Sequence, residues 1–343
     1  MKIFFSLILI LLLVSCKETV HFQIEERINF QELEEASLFE IKLAGKIAER
    51  DSEISGLAWY GDYLILLPQF PYLFGDGLTG SIYYIPKERI LRTINSKSQI
   101  PLTSYKIELE AFGLEKFNQW GSGYEGIIFN GDDVYFVLES FGTETESYVV
   151  KGEMNFAEKR IKVDANTLIK INNPNLLPNL SNEAITFFND NVYAIHEING
   201  ENISSASTSS KFTSNLILQE SIHFPTIEYR ITDATEVEPD STFWAINYLW
   251  PGEINLIKPI NDSIFVKSGV GITHKNSFSV ERLIQFKITS TGIKLMDTSP
   301  IYIELESSRS SRNWEGLVKL DEIGFLIVTD KFPRTILGFV KYP

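Results

Sequence analysis

One pattern recurs five times along this chain and constrains its fold more than any other feature. Each copy opens with a polar and a small residue, runs apolar, turns through Gly, Asn, Asp or Pro, runs apolar again and closes on a polar residue. The two polar ends lie fourteen residues apart in four copies and fifteen in the last. The copies are residues 55–69, 125–139, 183–197, 233–247 and 315–330.

Each copy predicts a β-hairpin whose two strands are buried. Turn segments such as Asn130-Gly131 and Asn189-Asp190 supply residues that tolerate positive φ. The flanking runs, for example residues 134–138 and 192–195, are continuously apolar, which is typical of strands covered on both faces. An aromatic content of 13% also favours a strand-rich core.

A third strand is expected after every hairpin, and a fourth after all but the last. The third strands are predicted at residues 81–85, 148–152, 214–219, 282–288 and 335–342. The fourth strands are predicted at residues 104–109, 167–171, 226–231 and 293–303. An extra strand at residues 38–47 precedes the first hairpin and can complete the last unit.

Four-stranded units closed by their own chain ends predict an all-β fold, a β-propeller, over one domain at residues 38–343. Five blades are favoured. A degenerate sixth blade around residues 253–267 stays open, as do two stacked β domains.

The charge balance excludes some classes of partner. The chain has 31 Lys and Arg against 45 Asp and Glu, a formal net charge of −14, which disfavours nucleic acid and anionic lipid surfaces. One cysteine and four scattered histidines exclude internal disulfides and disfavour a zinc site. We expect a monomer that binds a small molecule.

The N-terminus resembles that of a bacterial lipoprotein precursor. Lys2 precedes a short apolar run at residues 3–14, and residues 13–16 are similar to a lipobox ending in Cys16. This resemblance implies a signal peptide at residues 1–16, a lipid on Cys16 and a tether at residues 17–37, with a short helix around residues 30–36. The lack of aspartate after the cysteine favours an outer-membrane lipoprotein of the cell envelope.

The repeat predicts a ring of polar side chains. In each hairpin the opening and closing residues should lie side by side, and the first strands of a propeller line its central channel. All five pairs should therefore meet at one channel mouth. Besides Ser55, the expected members are Gln69, Glu125, Glu139, Glu183, Glu197, Asp233, Asn247, Glu315 and Asp330.

So many neighbouring carboxylates repel one another, and raised pKa values or a bound cation can relieve the repulsion. Calcium takes hard oxygen ligands, which this ring offers. The expected calcium ligands are Glu125, Glu139, Glu183, Glu197 and Asp233. A cationic or polyhydroxylated ligand stays open, and so does a structural role in which the polar residues only bond neighbouring blades.

Other residues near the ring are candidates for binding a ligand. They are Tyr124, Trp314, Arg312, Lys331 and Arg334. His196 is either an acid/base or, more simply, a core histidine. Residues 70–80 are expected to overhang the channel as a lid. The Ser/Thr-rich residues 204–210 are expected to form a linker.

The chemistry open to this chain is narrow. It has no nucleophile-elbow serine motif, no zinc-binding HExxH motif and no P-loop. Any catalysis should therefore use carboxylates, a metal-bound water or both. The candidate catalytic carboxylates are Glu125, Glu183, Glu315 and Asp330.

The repeats resemble a known family. Ser55-Gly-Leu-Ala, Glu125-Gly-Ile, Glu183-Ala-Ile and Trp314-Glu-Gly-Leu, with the closing residues 328–337, look like the "esterase-like activity of phytase" propeller domain. The resemblance implies a calcium-dependent phosphoester or phosphodiester hydrolase. Unlike true propeller phytases, the chain lacks a dense Lys/Arg set for phytate. A non-catalytic module that binds a glycan, peptide or metal, and a purely structural propeller, stay open.

Overall fold

The computed structural model describes residues 31–76, 79–119, 121–141, 145–172, 180–204, 207–306 and 311–342. The expected signal peptide, its Cys16 and most of the tether lie outside these residues. Statements about the fold refer to the described ranges.

The described residues are mostly β-strand. In chain order the strands are β1 (Glu32–Leu33), β2 (Leu38–Ile41), β3 (Leu43–Ala44), β4 (Ile54–Tyr60), β5 (Tyr63–Pro68), β6 (Gly80–Pro86), β7 (Leu102–Thr103), β8 (Tyr105–Glu110), β9 (Gly123–Asn130), β10 (Asp133–Phe141), β11 (Thr145–Asn155), β12 (Arg160–Ile171), β13 (Asn182–Phe188), β14 (Asn191–His196), β15 (Thr208–Thr213), β16 (Leu218–His223), β17 (Arg230–Ala234), β18 (Thr242–Leu249), β19 (Val270–Gly271), β20 (Val280–Thr289), β21 (Gly292–Leu295), β22 (Ile301–Tyr302), β23 (Trp314–Leu320), β24 (Gly324–Thr329) and β25 (Leu337–Lys341).

Helices are short and few in the same ranges. The α-helices are α1 (Lys87–Ser96), α2 (Ile254–Ile257) and α3 (Ser263–Ser268). Single 3₁₀ turns occur at Lys46–Ala48, Arg50–Ser52, Pro71–Phe74, Glu115–Phe117, Pro251–Glu253 and His274–Asn276. Among the described helices, none combines the length and the apolar character needed to cross a membrane.

The strands pair into five antiparallel units of four. Unit 1 is β4-β5-β6-β8, unit 2 is β9-β10-β11-β12, unit 3 is β13-β14-β15-β16 and unit 4 is β17-β18-β20-β21. In unit 5 the chain ends meet, because β23, β24 and β25 are joined by β2, which pairs antiparallel with β25. The predicted propeller of four-stranded units, closed by the N-terminal strand, is confirmed.

Each unit is narrow at its first strand, and the five first strands contact one another in a closed circle. The order around the circle is β4, β9, β13, β17, β23 and back to β4. The hairpin turns that follow use the expected geometry, since Gly131, Asn189 and Asp190 all have positive φ.

The apolar core lies between neighbouring units, in five clusters that correspond to the five contacts around the circle. Val137 and Ala194, for example, belong to the cluster between units 2 and 3. Leu57 and Val318 belong to the one between units 5 and 1. The inner strands are covered on both faces and are largely apolar, as the sequence indicated, whereas outer strands such as β16 are exposed.

Unit 3 differs from the prediction in its outer half. Its third and fourth strands are β15 and β16, not residues 214–219 and 226–231. Leu216 has a φ of +57° and lies in the turn between them, although it is apolar and buried. Part of the expected Ser/Thr linker is β15 itself, where Ser209 is buried and donates a hydrogen bond to the Ala194 carbonyl at 2.9 Å.

The open alternative of a sixth unit finds no strands at its expected place, and the expected N-terminal helix is wrong. Residues 253–267 contain α2 and α3 rather than a degenerate sixth unit, and the Asp262 side chain caps α3 by accepting from the Ile264 and Phe265 amides. The described part of the expected helix at residues 30–36 is extended instead. There β1 pairs in parallel with β19, and Glu35 accepts a hydrogen bond from the Thr273 amide at 3.0 Å.

Candidate functional site

A β-bulge occurs near the start of the first strand in every unit. In four units one residue of that strand is skipped in the pairing, and that residue is the opening polar residue of the repeat: Ser55, Glu125, Glu183 or Glu315. In unit 4 the irregularity covers Thr232 and Asp233. Since a bulge re-aims a side chain, it explains how a polar residue in an apolar strand leaves the packed face.

In units 2 and 5 the glycine after the bulge leaves no room for a Cβ beside the neighbouring unit. A Cβ added to Gly126 would lie 2.4 Å from the backbone oxygen of Glu183 in unit 3. The repeated pair of a polar and a small residue therefore encodes the close approach of successive first strands. The expected pairing of opening and closing residues is shifted by the same bulges, since Glu139 faces Gly123 and His196 faces Asn182.

One mouth of the ring holds an acidic cavity of about 270 Å³. Its charged walls contain six carboxyl groups against one guanidinium and one ammonium group. The walls are Glu53, Gln69, Phe70, Gly121, Glu125, Glu139, Phe141, Glu183, Arg230, Asn313, Glu315, Asp330 and Lys331.

Arg230, at the start of β17, is the positive centre of the site. Its guanidinium donates to Glu183 at 2.9 Å and to Glu253 at 3.2 Å, and it also bonds Glu197, which is fully buried. Glu197 accepts a second bond from the Ser181 amide at 2.7 Å. The other carboxyl oxygen of Glu183, Oε2, is buried and has no hydrogen-bond partner.

On the opposite wall an amide joins two carboxyl groups. The Asn313 side chain donates to Glu315 at 2.6 Å and to Asp330 at 3.2 Å. Its backbone is fixed too, because its amide donates to the Phe332 carbonyl and its carbonyl accepts from the Asp330 amide. Gln69 plays a similar part in unit 1, donating to Glu125 at 2.9 Å.

Burial and mutual repulsion raise the pKa values of the cavity carboxyls. Burial raises the pKa of Glu139 to about 7, helped by the Glu183 charge and opposed by a bond from Ser181. Burial raises the pKa of Glu183 as well, and the Arg230 charge opposes that shift. The pKa values of Glu125 and Glu315 are also raised well above the ordinary range, through burial and then through Glu139 and Asp330 respectively.

The structure brings together seven of the residues singled out in the sequence. All seven are walls of the acidic cavity: Gln69, Glu125, Glu139, Glu183, Glu315, Asp330 and Lys331. Lys331 is neutralised there by Glu53, with 2.9 Å between their charged atoms. Among the described residues of the expected lid, only Phe70 lines the cavity.

Four ring candidates are not walls of the cavity. One is Glu197, which bonds Arg230, and the other three bond nearby protein groups. Asp233 is buried and accepts from the amides of Leu317 at 2.7 Å and Ala234 at 2.8 Å. Asn247 donates to the Arg230 carbonyl, and Ser55 donates to the Tyr124 carbonyl at 2.5 Å. For these three the structural alternative describes what the side chains contact.

Apart from Lys331, the expected aromatic and basic residues of the mouth do not line the acidic cavity. Tyr124 packs edge-on against Phe136 in the core, as alternation along β9 requires once Glu125 faces the channel. Trp314 and Arg312 are both buried, and their side chains donate hydrogen bonds to the Glu281 carboxylate at 2.6 Å and 2.7 Å.

Arg334 and His196 are also away from the cavity. Arg334 is half exposed and pairs with Glu40. His196 is a core histidine, since burial lowers its pKa to about 4 and its Nδ1 accepts from the Ile198 amide at 3.0 Å.

Sequence reasoning missed Arg230, Asn313, Glu53 and Glu253. The signal for Arg230 was available, because it lies three residues before Asp233 on a strand that must line the channel. Asn313 likewise precedes Glu315 by two residues. Glu53 and Glu253 belong to turns beside the strands, for which the repeat makes no prediction.

The carboxyl groups do not fit calcium as they are arranged. No group of three or more His, Cys, Asp or Glu side chains in the described ranges has the geometry to hold a metal ion. Of the five expected ligands, Glu183 and Glu197 are bonded to Arg230 and Asp233 to backbone amides. Arg230 is the cation that bonds two of these carboxyl groups, Glu183 and Glu197.

The chain is similar to known proteins in its fold alone. No family model and no curated protein matches the sequence, so the resemblance to the phytase-like domain stays a prediction. Solved structures with a similar arrangement include the soluble aldose sugar dehydrogenase from Escherichia coli, with 10% identity over 89% of this chain and 99% of the other and a TM-score of 0.46. Another is an exo-β-1,3-galactanase from Bifidobacterium bifidum, described as putative, with 11% identity over 90% and 94% and a TM-score of 0.46. At such low identity and TM-score, these likenesses carry no inference about function.

Proposed function

We propose that the acidic cavity is the active site of a hydrolase that cleaves an uncharged, polyhydroxylated substrate, a glycoside. Glu139 serves as the general acid and Glu183 as the ionised carboxylate. The observation that carries the proposal is the Glu183 side chain. One of its oxygens is held by Arg230 at 2.9 Å and the other is buried without a partner, in the cavity that Glu139 also lines.

The two carboxyl groups differ in their surroundings, although burial raises the pKa of both. With its pKa raised to about 7, Glu139 keeps a proton near neutral pH and can give it to a leaving oxygen. Glu183 faces Arg230, which favours its charged form, and an ionised Glu183 in turn keeps Glu139 protonated. One protonated and one ionised carboxyl are the pair used in glycoside hydrolysis.

The charge of the walls favours an uncharged substrate over a phosphoester. Six carboxyl groups surround the cavity, and Lys331 is already paired with Glu53. A phosphate would be repelled unless a cation bridged it, and the carboxyl groups are not assembled for calcium. Gln69 and Asn313 add amide groups that can bond to hydroxyls.

The test is turnover of a panel of aryl glycosides by wild type, Glu139→Gln and Glu183→Gln. Each substitution should lower kcat by about 10²–10⁴-fold, the usual contribution of a positioned acid or base. Glu139→Gln should retain turnover of a dinitrophenyl glycoside, whose leaving group needs no proton. Glu88→Gln, on an exposed side chain of α1, is the control and should leave the rate unchanged.

Chelator should have no effect on this activity. If wild type turns over no glycoside but hydrolyses bis(4-nitrophenyl) phosphate when calcium is added, the proposal is wrong and the calcium-dependent phosphodiesterase expected from the sequence replaces it. If neither class of substrate is turned over, a non-catalytic binding propeller remains.

A further inference from the structure

A second cavity of about 400 Å³ adjoins the acidic one and has different walls. It shares Arg230, Asn313 and Asp330 with the acidic cavity, so these three residues form a common wall. Its remaining walls include three aromatic rings, those of Tyr248, Trp250 and Phe332. The others are Glu253, Ser311 and Pro333. We refer to it as the aromatic cavity.

Two of its rings are open to solvent. Trp250 directly follows β18 and is 53% exposed, and Phe332 is 50% exposed. The indole of Trp250 lies over Gly252, where an added Cβ would come within 2.4 Å of the ring. Glycine at this position therefore lets the indole lie flat against the turn. Large exposed rings at one concave place are typical of a ligand site.

Two carboxyl groups of the aromatic cavity are incompletely hydrogen-bonded. Glu253 and Asp330 each have one buried carboxyl oxygen without a hydrogen bond. Arg230 does not bond these two oxygens, because its guanidinium is shared among Glu183, Glu197 and Glu253. Lys331, next to Asp330 in the chain, pairs with Glu53 and is not a wall of this cavity.

We propose that the aromatic cavity binds an organic cation, an alkylated or quaternary ammonium group, between its aromatic rings and the free oxygens of Glu253 and Asp330. Aromatic faces attract such cations, and carboxylates add charge complementarity. The Phe332 ring already makes this contact outside the cavity, with the Arg50 guanidinium 4.6 Å from its centroid. The inference goes beyond the proposed hydrolysis and does not depend on it.

The probes are choline and its uncharged analogue 3,3-dimethylbutan-1-ol, which has nearly the same shape. Binding to the full protein is followed by calorimetry and by tryptophan fluorescence. Choline should bind saturably, and the alcohol should bind about tenfold more weakly, because removing the charge removes the cation–π and carboxylate contacts. Equal binding of the two probes, or no binding of choline at tens of millimolar, would overturn the proposal.

Variants locate the binding. Trp250→Ala should weaken choline binding about tenfold or more, whereas Trp250→Phe should keep most of it, since a ring remains. Phe112→Ala is the matched control, because Phe112 is 55% exposed and is a wall of neither cavity. Glu253→Gln keeps the shape and should weaken choline but not the alcohol. Choline binding that survives Trp250→Ala unchanged would show that the cation binds elsewhere, whatever the fate of the hydrolase assay.

Discussion

Arg230 is the residue on which the acidic site depends. It is buried, and it joins Glu183, Glu197 and Glu253, whose positions in the chain lie 47, 33 and 23 residues away. A repeat of polar residues predicted the carboxyl groups and the need to balance them. It did not predict which cation does so, because the contacts to Glu183 and Glu197 exist only after units 3 and 4 have come together.

Replacing Arg230 should destabilise the fold strongly. Arg230→Met leaves Glu197 buried without its counter-ion, and losing one partner of a buried pair costs about 3–5 kcal/mol. The loss should be smaller at pH 5, where the carboxyl groups take up protons instead. Urea unfolding at pH 5 and pH 8 measures both values. Arg334→Met, which breaks a half-exposed pair with Glu40, is the control and should cost less than about 1 kcal/mol.

The raised pKa of Glu139 predicts the direction in which the free energy of unfolding changes with pH. The folded protein holds its proton up to about pH 7, whereas the unfolded chain releases it near the ordinary pKa of 4.5. Between these values the folded state binds more protons than the unfolded state, so stability must fall as pH rises. The fall from this group is about 1–3 kcal/mol. Glu139→Gln should flatten the pH dependence of urea unfolding between pH 5 and 8, and an unchanged slope would contradict the assignment.

At the scale of the strand, the bulge separates what sequence could predict from what it could not. Alternating polar and apolar runs were enough to predict each hairpin, its turn and its polar ends. They were not enough to predict the register of the strands, because the skipped residue, Glu125 for example, moves the partner of Glu139 to Gly123. A bulge adds one residue without changing composition, so no hydrophobic pattern reports it. Leu216 shows the same limit, since an apolar residue in a left-handed turn imitates a strand.

The small residues after the bulges offer a direct test of this arrangement. Gly126→Ala places a methyl group 2.4 Å from the Glu183 backbone oxygen, so the first strands of units 2 and 3 must move apart. Overpacking of this kind costs about 1–3 kcal/mol, and it should also lower any activity that uses Glu183. Thermal and urea unfolding measure the cost.

Gly56→Ala is the matched control, at the same position of unit 1. Its added methyl group would come no closer than 3.3 Å to any atom, the nearest being in the Ile127 side chain, so the change should be tolerated with a smaller loss. If the two variants were equally stable, the close approach would not explain the small residue in the repeat.

For the whole molecule, closure of the circle makes the N-terminal strand part of the core. β2 belongs to unit 5 in space although it precedes unit 1 in the chain, and its Ile41 is 1% exposed among residues of units 5 and 1. β25 has a partner on its outer side only while this strand is in place. Loss of β2 contacts should therefore weaken the entire ring rather than one terminus.

Ile41→Ala tests this directly. Removing three buried carbons from the β2 contact should cost about 2–5 kcal/mol. If the ring is one cooperative unit, the loss should shift a single unfolding transition, seen alike by tryptophan fluorescence and by far-ultraviolet circular dichroism. Ile100→Ala, on a side chain that is 76% exposed, is the control and should change stability by less than about 0.5 kcal/mol. A separate early transition in Ile41→Ala would instead mean that the terminal strand frays alone, and that the remaining units hold the channel and its carboxyl groups without it.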